Sequence, residues 1–248
     1  MGRKMVGLGV GLMLAIGTLP GGIATAGTCP IPLPQGSDPV TLEPADFVGV
    51  IDNPYWPMAP GTKWVYRESA PQEDTLKVKI TVTTRTRDIS GIQASVVHDK
   101  VTVHGDLLEN TFDWYAQDIC GNLWYLGENT KEYENGVVVS TAGSWEHGVD
   151  GALAGVIMPG DPQVGLTYRQ EYYAGEAEDA AEIMSLDEQA EVPAAHLVDV
   201  ILTKDFTPLH PEILEYKLYA PGIGPVLVLG VSGGSDREEL LSFTPPAG

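Results

Sequence analysis

The sequence predicts an all-β protein made of two related antiparallel units, each a strongly curved sheet or half-barrel, packed into one compact body. Three observations lead there. The 29 glycines and 19 prolines of the 248-residue chain exceed average usage. They punctuate short runs rich in Val, Thr, Ile and Tyr, the composition of strands joined by tight turns. Several of those runs alternate apolar and polar residues with the period of a half-buried strand. The second half then restates the first at an offset of 104 residues, the mark of an internal duplication.

The chain opens with Arg3 and Lys4 before an apolar run from Met5 to Ile16, and Ala24-Thr25-Ala26 offers small residues at cleavage positions. Residues 1–26 are therefore expected to be an export signal, too short in its apolar part to span a bilayer. Acylation of Cys29 is the alternative, which Ala26 and Thr28 fit poorly. Export places the mature protein in the periplasm or outside the cell. In an oxidising compartment Cys29 and Cys120 are expected to pair, since neither has a Cys or His at metal-ligand spacing. Such a bond would tie the Pro-rich segment 27–45 to a hairpin and close a loop of about 90 residues, worth roughly 4 kcal/mol in the chain-entropy model.

Charge is the strongest anomaly of composition: 34 acids against 14 bases give −20, and loss of the signal with its two bases makes it −22. Nucleic acid is excluded as a general partner, because phosphate binding needs clustered Lys and Arg, and an anionic membrane surface is equally unattractive. A field of this sign favours cations, although solubility alone also accounts for it.

The first β-unit is assigned to 46–145 and the second to 146–248. Pro57, Pro60 and Gly61 mark turns before the strand TKWVYRES. LKVKITVTTRTRDI and IQASVVHDKVTVHGD form a hairpin about Gly91. LLENTFDWYAQD and NLWYLGEN form another about Ile119-Cys120-Gly121, and TKEYENGVVVSTA turns at Glu134-Asn135-Gly136. The repeat sets Trp64 on Tyr168, Val96 on Val200, Lys100 on Lys204 and Tyr115 on Tyr219. It also replaces Trp114 by Leu218 and Asp118 by Gly222. The hairpin is architecture common to both copies, so the aromatic and acidic decoration of the first copy is where function is sought. Aromatic residues at alternating strand positions are nevertheless more often core than site.

The stretches NPYWPMAPGTKWVY, DWYAQDICGNLWYLGE, EYYAGEAEDAAE and YAPGIGPV resemble a family of uncharacterised secreted bacterial proteins, over most of the chain from Phe47 onwards. The PGTxWxY opening, VPAAHLVDV and YAPGIG also resemble, in architecture, exported half-barrels of the lipocalin-like or lipoprotein-carrier-like kind. That resemblance implies a concave sheet holding an apolar ligand.

Among chemical motifs, GEAEDAAEIMSLDEQAE at 175–191 contains Glu176, Glu178 and Asp179 among seven acids and no base. Oxygen ligands at this density suit Ca²⁺, yet EF-hand spacing is absent and a solvated strand edge explains the segment equally. Its Ala, Glu and Met favour helix and its place in the repeat favours strand, and it is expected to be mostly strand. His98 and His104 share a face but stand roughly 20 Å apart on a straight strand, too far for one ion. A nucleophile elbow and a phosphate-cradling loop are both absent. Asp113, Asp118 and Glu128 lie on or beside one tryptophan-rich hairpin, which suits acid and base groups beside a sugar ring.

The functional expectation is an exported ligand-binding protein. Tyr55, Trp56, Trp64, Trp114, Tyr115, Trp124 and Trp145 would line an aromatic concavity for a small apolar, cationic or polyhydroxylated ligand. No cofactor is expected beyond a possible Ca²⁺. The alternatives are a secreted glycan hydrolase or lyase using paired carboxylates from Asp113, Asp118 and Glu128, and a structural protein of the cell envelope.

Overall fold

Turn chemistry sets the strand boundaries. Ser90-Gly91 and Asn135-Gly136 both have positive φ at each residue, the geometry that a two-residue hairpin turn requires. The computed structural model describes residues 31–246; the expected export signal and Cys29 lie outside the described residues. After a short 3-10 turn at Pro44–Asp46, the first half runs through β1 (Phe47–Val48), β2 (Lys63–Ser69), β3 (Leu76–Ile89), β4 (Ile92–Val103), β5 (Asp106–Asp118) and β6 (Leu123–Asn129). Next come β7 (Glu132–Glu134), β8 (Val137–Ser140), β9 (Trp145–Glu146) and β10 (Leu153–Met158). The second half follows with β11 (Thr167–Arg169), β12 (Glu171–Tyr172), β13 (Ala180–Val192), β14 (Ala195–Phe206), β15 (Leu214–Ala220), β16 (Gly224–Ser232) and β17 (Arg237–Thr244).

Pairing is antiparallel and nearly closes into a barrel. Strands β2 to β6 pair in chain order and β6 pairs with β10. β10 meets β12, while β11, one residue before it, pairs with β13. Strands β13 to β17 pair in order and β17 returns to β2. The repeat is visible in this order. Shifting β3 by 104 residues puts it on 180–193, where β13 occupies Ala180–Val192; β4 likewise falls on β14, and β2 on β11 and β12. Strands β10 and β17 take equivalent places, each joining the end of one half to the first strand of the other. The acidic stretch 175–191 is strand from Ala180 onward.

Alternation sends one face of each strand inward. A single apolar cluster spans both halves and includes Trp64, Tyr66, Val78, Trp124, Tyr168, Ile183, Tyr219 and Leu240. Full burial of side chains of this size contributes about 2–3 kcal/mol each. The outward positions Lys77, Lys79, Arg85 and Arg87 are exposed and charged, unlike the apolar band that a lipid-facing barrel carries. Among the described residues no helix is long and apolar enough to cross a membrane.

The segment before β2 closes the barrel end at which β5 turns into β6. Gln117 Oε1 accepts the amides of Asp52 and Asn53, both at 2.8 Å. Asn53 Nδ2 donates to the Gly121 and Pro159 carbonyls at 2.9 and 3.2 Å, and the Gly222 amide donates to the Pro54 carbonyl at 2.7 Å. This places Trp56 inside, with ring centroids 6.2 Å from Tyr115 and 5.6 Å from Tyr219. The preceding Pro-rich stretch lies along β11: the Arg169 amide donates to the Pro34 carbonyl, and its Nη1 donates to those of Gly36 and Asp38 at 2.7 and 2.8 Å.

Trp56 has room only because residue 224 is glycine. At φ +111°, a Cβ there would stand 2.7 Å from Trp56 Cδ1. Gly224→Ala is expected to cost about 2 kcal/mol or more through strain and displacement of the indole. Thermal denaturation should show a midpoint lower by about 4–8 °C, with a change in tryptophan fluorescence.

Candidate functional site

Along several strands the inward residues change in character from one barrel end to the other. On β2 the order is Trp64, Tyr66, Glu68; on β6, Tyr125 precedes Glu128. On β5 and β15, which run the opposite way, Asp113 precedes Tyr115 and Lys217 precedes Tyr219. Because neighbouring strands are antiparallel, the aromatic residues gather towards the end plugged by Trp56 and the charged residues away from it. Between them lies a cavity of about 270 Å³. Its walls include Trp56, Trp64, Tyr66, Tyr115, Tyr125 and Tyr219, together with Asp99, Asp113, Glu171, Asp179, Lys217 and Glu238.

The polar ends of the aromatic walls are tied back to the protein. Trp64 Nε1 donates to the Ile223 carbonyl and the Tyr66 hydroxyl to the Pro225 carbonyl, both at 2.8 Å. Tyr125 stacks on Tyr115 at 4.9 Å and donates its hydroxyl to Asp113 at 2.8 Å. Trp145 meets Tyr125 edge-on at 5.3 Å and donates Nε1 to Glu171 at 2.8 Å. The ring faces are thus held by packing and hydrogen bonds on rigid strands.

The charges do not balance. Lys217 Nζ stands 3.0 Å from Asp205 and 3.7 Å from Glu215. Burial pulls the Lys217 ammonium down, but Asp205, Tyr219 and Glu215 together push it well above the ordinary lysine value. Asp205 also accepts from Gln170 and Thr203, so the lysine is held by an acid of its own. Among the described residues no base forms an ion pair with Asp99, Asp113, Glu128, Glu171, Asp179 or Glu238. Asp99 Oδ1 is buried without a hydrogen-bond partner.

Burial accordingly favours the neutral acids. Asp99 is pushed up to about 7 by burial and then by Glu109. Glu171 rises to about 8 through burial and Asp179, and Glu238 to about 8 through burial and Asp99. Asp113 lies well above the usual carboxylate range for the same first reason, with Glu128 next. Glu128 and Asp179 are raised as well, chiefly by burial.

The residues singled out in the sequence separate into groups. Trp56, Trp64 and Tyr115 line the cavity. Trp145 reaches its wall through Glu171 and Tyr125. Trp114 faces the opposite side of β5, where Arg87 lies 4.2 Å over its ring, and Trp124 packs edge-on against Phe47 at 6.3 Å. Tyr55 packs against the core from the plug without lining the cavity. Asp113 and Glu128 are direct cross-strand partners, whereas Asp118 does not join them. Asp118 accepts from the Cys120 and Asn122 amides, Asn122 Nδ2 and Trp124 Nε1 at 2.8–2.9 Å, which makes it the anchor of the β5–β6 turn. Cys120 is half-buried in that turn, and its expected partner Cys29 lies outside the described residues.

The acidic side chains of 176–179 go to different surroundings. Glu176 is exposed, Glu178 accepts the Gly175 amide at 2.8 Å, and Asp179 turns to the cavity. Among the described residues no group of three or more His, Cys, Asp or Glu side chains is arranged to hold a metal ion. Sequence reasoning does not single out Tyr66, Asp99, Tyr125, Glu171, Lys217, Tyr219 or Glu238 as wall residues. Tyr219 was already marked by its match to Tyr115, and Asp99 and Glu238 by inward positions on apolar strands. Glu171 offered no signal, because β12 has only two residues.

The raised acids make stability depend on pH. Unfolded carboxyls titrate near 4. The folded protein therefore holds more protons between about pH 4 and about 8, and stability present below this window is lost as pH rises through it. Melting is expected at a higher temperature near pH 5 than near pH 8.5, and Glu238→Gln should narrow the gap. Calorimetry of both proteins across that range checks this.

No family model and no curated protein matches this chain. Among solved structures, a candidate lipoprotein from Parabacteroides distasonis ATCC 8503 is weakly similar. The match covers 77% of this chain and 98% of that one, at 11% identity and a TM-score of 0.37.

Proposed function

We propose that this protein is an exported binder of a small organic cation, held in the barrel cavity with its charge among the acids and its apolar part on the aromatic floor. One observation carries this: a cavity walled by aromatic faces also contains Asp99, Asp113, Glu171, Asp179 and Glu238, while its single lysine is taken by Asp205. An apolar ligand would leave these acids desolvated and unpaired, at a cost. An ammonium group supplies what Asp99 Oδ1 lacks, and ring faces add about 1–2 kcal/mol to a desolvated cation. The net charge of −20 steers such ligands inward. The expected pairing of Cys29 with Cys120 and the likeness to secreted β-rich proteins belong to the same proposal.

A second reading has its own support. Asp113 and Glu128 face each other across the β5–β6 ladder with Tyr125 bound to Asp113, an arrangement that general acid–base work on a glycan could use. Turnover of a glycan abolished by both Asp113→Asn and Glu128→Gln would favour it over simple binding.

Titration calorimetry with phenethylamine and its neutral isostere phenethyl alcohol tests the cation reading. The amine is expected to bind at least about tenfold more tightly. Ligand amines stay protonated to about pH 10, whereas Asp99, Glu171 and Glu238 ionise at about 7 to about 8, so affinity should rise from about pH 6 to about pH 9 and binding should release protons. Asp99→Asn should weaken the amine about tenfold and leave the alcohol unchanged. Equal affinity for amine and alcohol would overturn the proposal.

A further inference from the structure

The buried acids are spread along the wall in the order of the strands, with Glu238 on β17, Asp99 on β4, Asp113 on β5 and Glu171 on β12. At one end Asp99 raises the protonation of Glu238, and Glu68 raises both. In the middle Asp113 feels both Asp99 and Glu128. At the far end Glu171 feels Asp179 and Glu128. The aromatic residues follow the same course: Trp56 meets Tyr115 at 6.2 Å, Tyr115 stacks on Tyr125 at 4.9 Å, and Tyr125 meets Trp145 at 5.3 Å. Trp145 then donates to Glu171 at 2.8 Å. In the order of strands around the barrel, Tyr115 on β5 and Tyr125 on β6 therefore lie between Asp99 on β4 and Glu171 on β12.

Glu171 and Asp179 have a second distinction. They line both the central cavity and an adjoining outer one of about 550 Å³, bounded by Gln35 to Ser37, Tyr172, Phe206 and Pro208. A group held by this pair is therefore in contact with both spaces. Compact monocations need only one end of this series.

We infer that the natural ligand is an extended di- or polyamine, with one ammonium at Asp99 and Glu238, a methylene chain along Tyr115 and Tyr125, and a second ammonium at Glu171 and Asp179, from which the chain can continue into the outer cavity. This rests on the cation reading of the cavity. Methylenes between charges suit the intervening rings, and an ammonium at each end neutralises acids that otherwise stay protonated. Glu171 acts as a binding residue here; its bond from Trp145 fixes the carboxylate towards the ligand.

The test is calorimetry near pH 9 with butylamine, diaminobutane and spermine, on the wild-type chain, Glu171→Gln and Asp99→Asn. Glutamine can still accept from Trp145, so the wall should persist, and circular dichroism monitors this. Diaminobutane is expected to bind at least about tenfold more tightly than butylamine, and spermine more tightly again. Glu171→Gln should bring diaminobutane down to the level of butylamine while changing butylamine less than about twofold, and Asp99→Asn should weaken all three. Should Glu171→Gln fail to fold, Asp179→Asn makes the same comparison. Tight binding of butylamine with no gain for diaminobutane would overturn the two-ended site and leave the cation reading standing. Binding of none of the three would overturn both.

Discussion

Carboxylates inside a barrel face a constraint that surface carboxylates do not: they must find a cation, keep a proton, or reach water. In this protein one pair satisfies the first condition, Lys217 with Asp205, and Gln170 and Thr203 complete the coordination of the aspartate. For the other acids on the cavity wall burial favours the second. Protonation lowers the desolvation cost but turns the wall into a store of exchangeable protons, whose release would accompany the cation binding proposed above. The rigidity of the wall follows from the same arrangement, because Tyr125 and Trp145 spend their donors on Asp113 and Glu171.

Duplication supplied the frame, and divergence between the copies supplied the asymmetry. The same offset that puts Tyr115 on Tyr219 puts Asp113 on Lys217, so one inward position is acidic in the first copy and basic in the second. The aromatic contribution to the floor is common to both halves and the charge is not. A symmetric pair of half-barrels would have presented two like-charged patches across a narrow space. Instead the second copy contributes a satisfied lysine beside Glu171, Asp179 and Glu238, and the first copy contributes Asp99 and Asp113 with no base.

Much of the architecture was legible because period two, turn residues and the 104-residue offset all pointed the same way. Gly91 and Asn135-Gly136 announced their turns locally. The offset even placed the acidic segment 180–192 in a strand against its helical composition, since pairing with β14, including Glu182 opposite Lys204, overrides propensity. The cavity was legible only in part. Trp56, Trp64 and Tyr115 stood out as aromatic residues, but sequence cannot say which face of a bulged strand turns inward, and Trp114 and Trp124 lie on the other face. Asp118 looked like chemistry because it sits among tryptophans. Its four hydrogen bonds come from the turn that it caps, which only the folded hairpin reveals.

The barrel is closed by its most distant parts. Its floor is laid by Trp56, ahead of β2, and its last seam joins β17 to β2, with Thr244 opposite Lys63. Contacts so remote in sequence form late, after most of the loop entropy has been spent, which predisposes such topologies to slow assembly. For a chain that is made amino terminus first, Trp56 and its surroundings emerge well before the strand that encloses them. Until the carboxy-terminal strand arrives there is no enclosed lumen, only an open sheet with wet carboxylates titrating as ordinary acids. Occupancy is thereby reserved for the finished molecule, and any ligand present at the site of assembly would act on the closed state alone, favouring completion over premature exposure of the sheet edge.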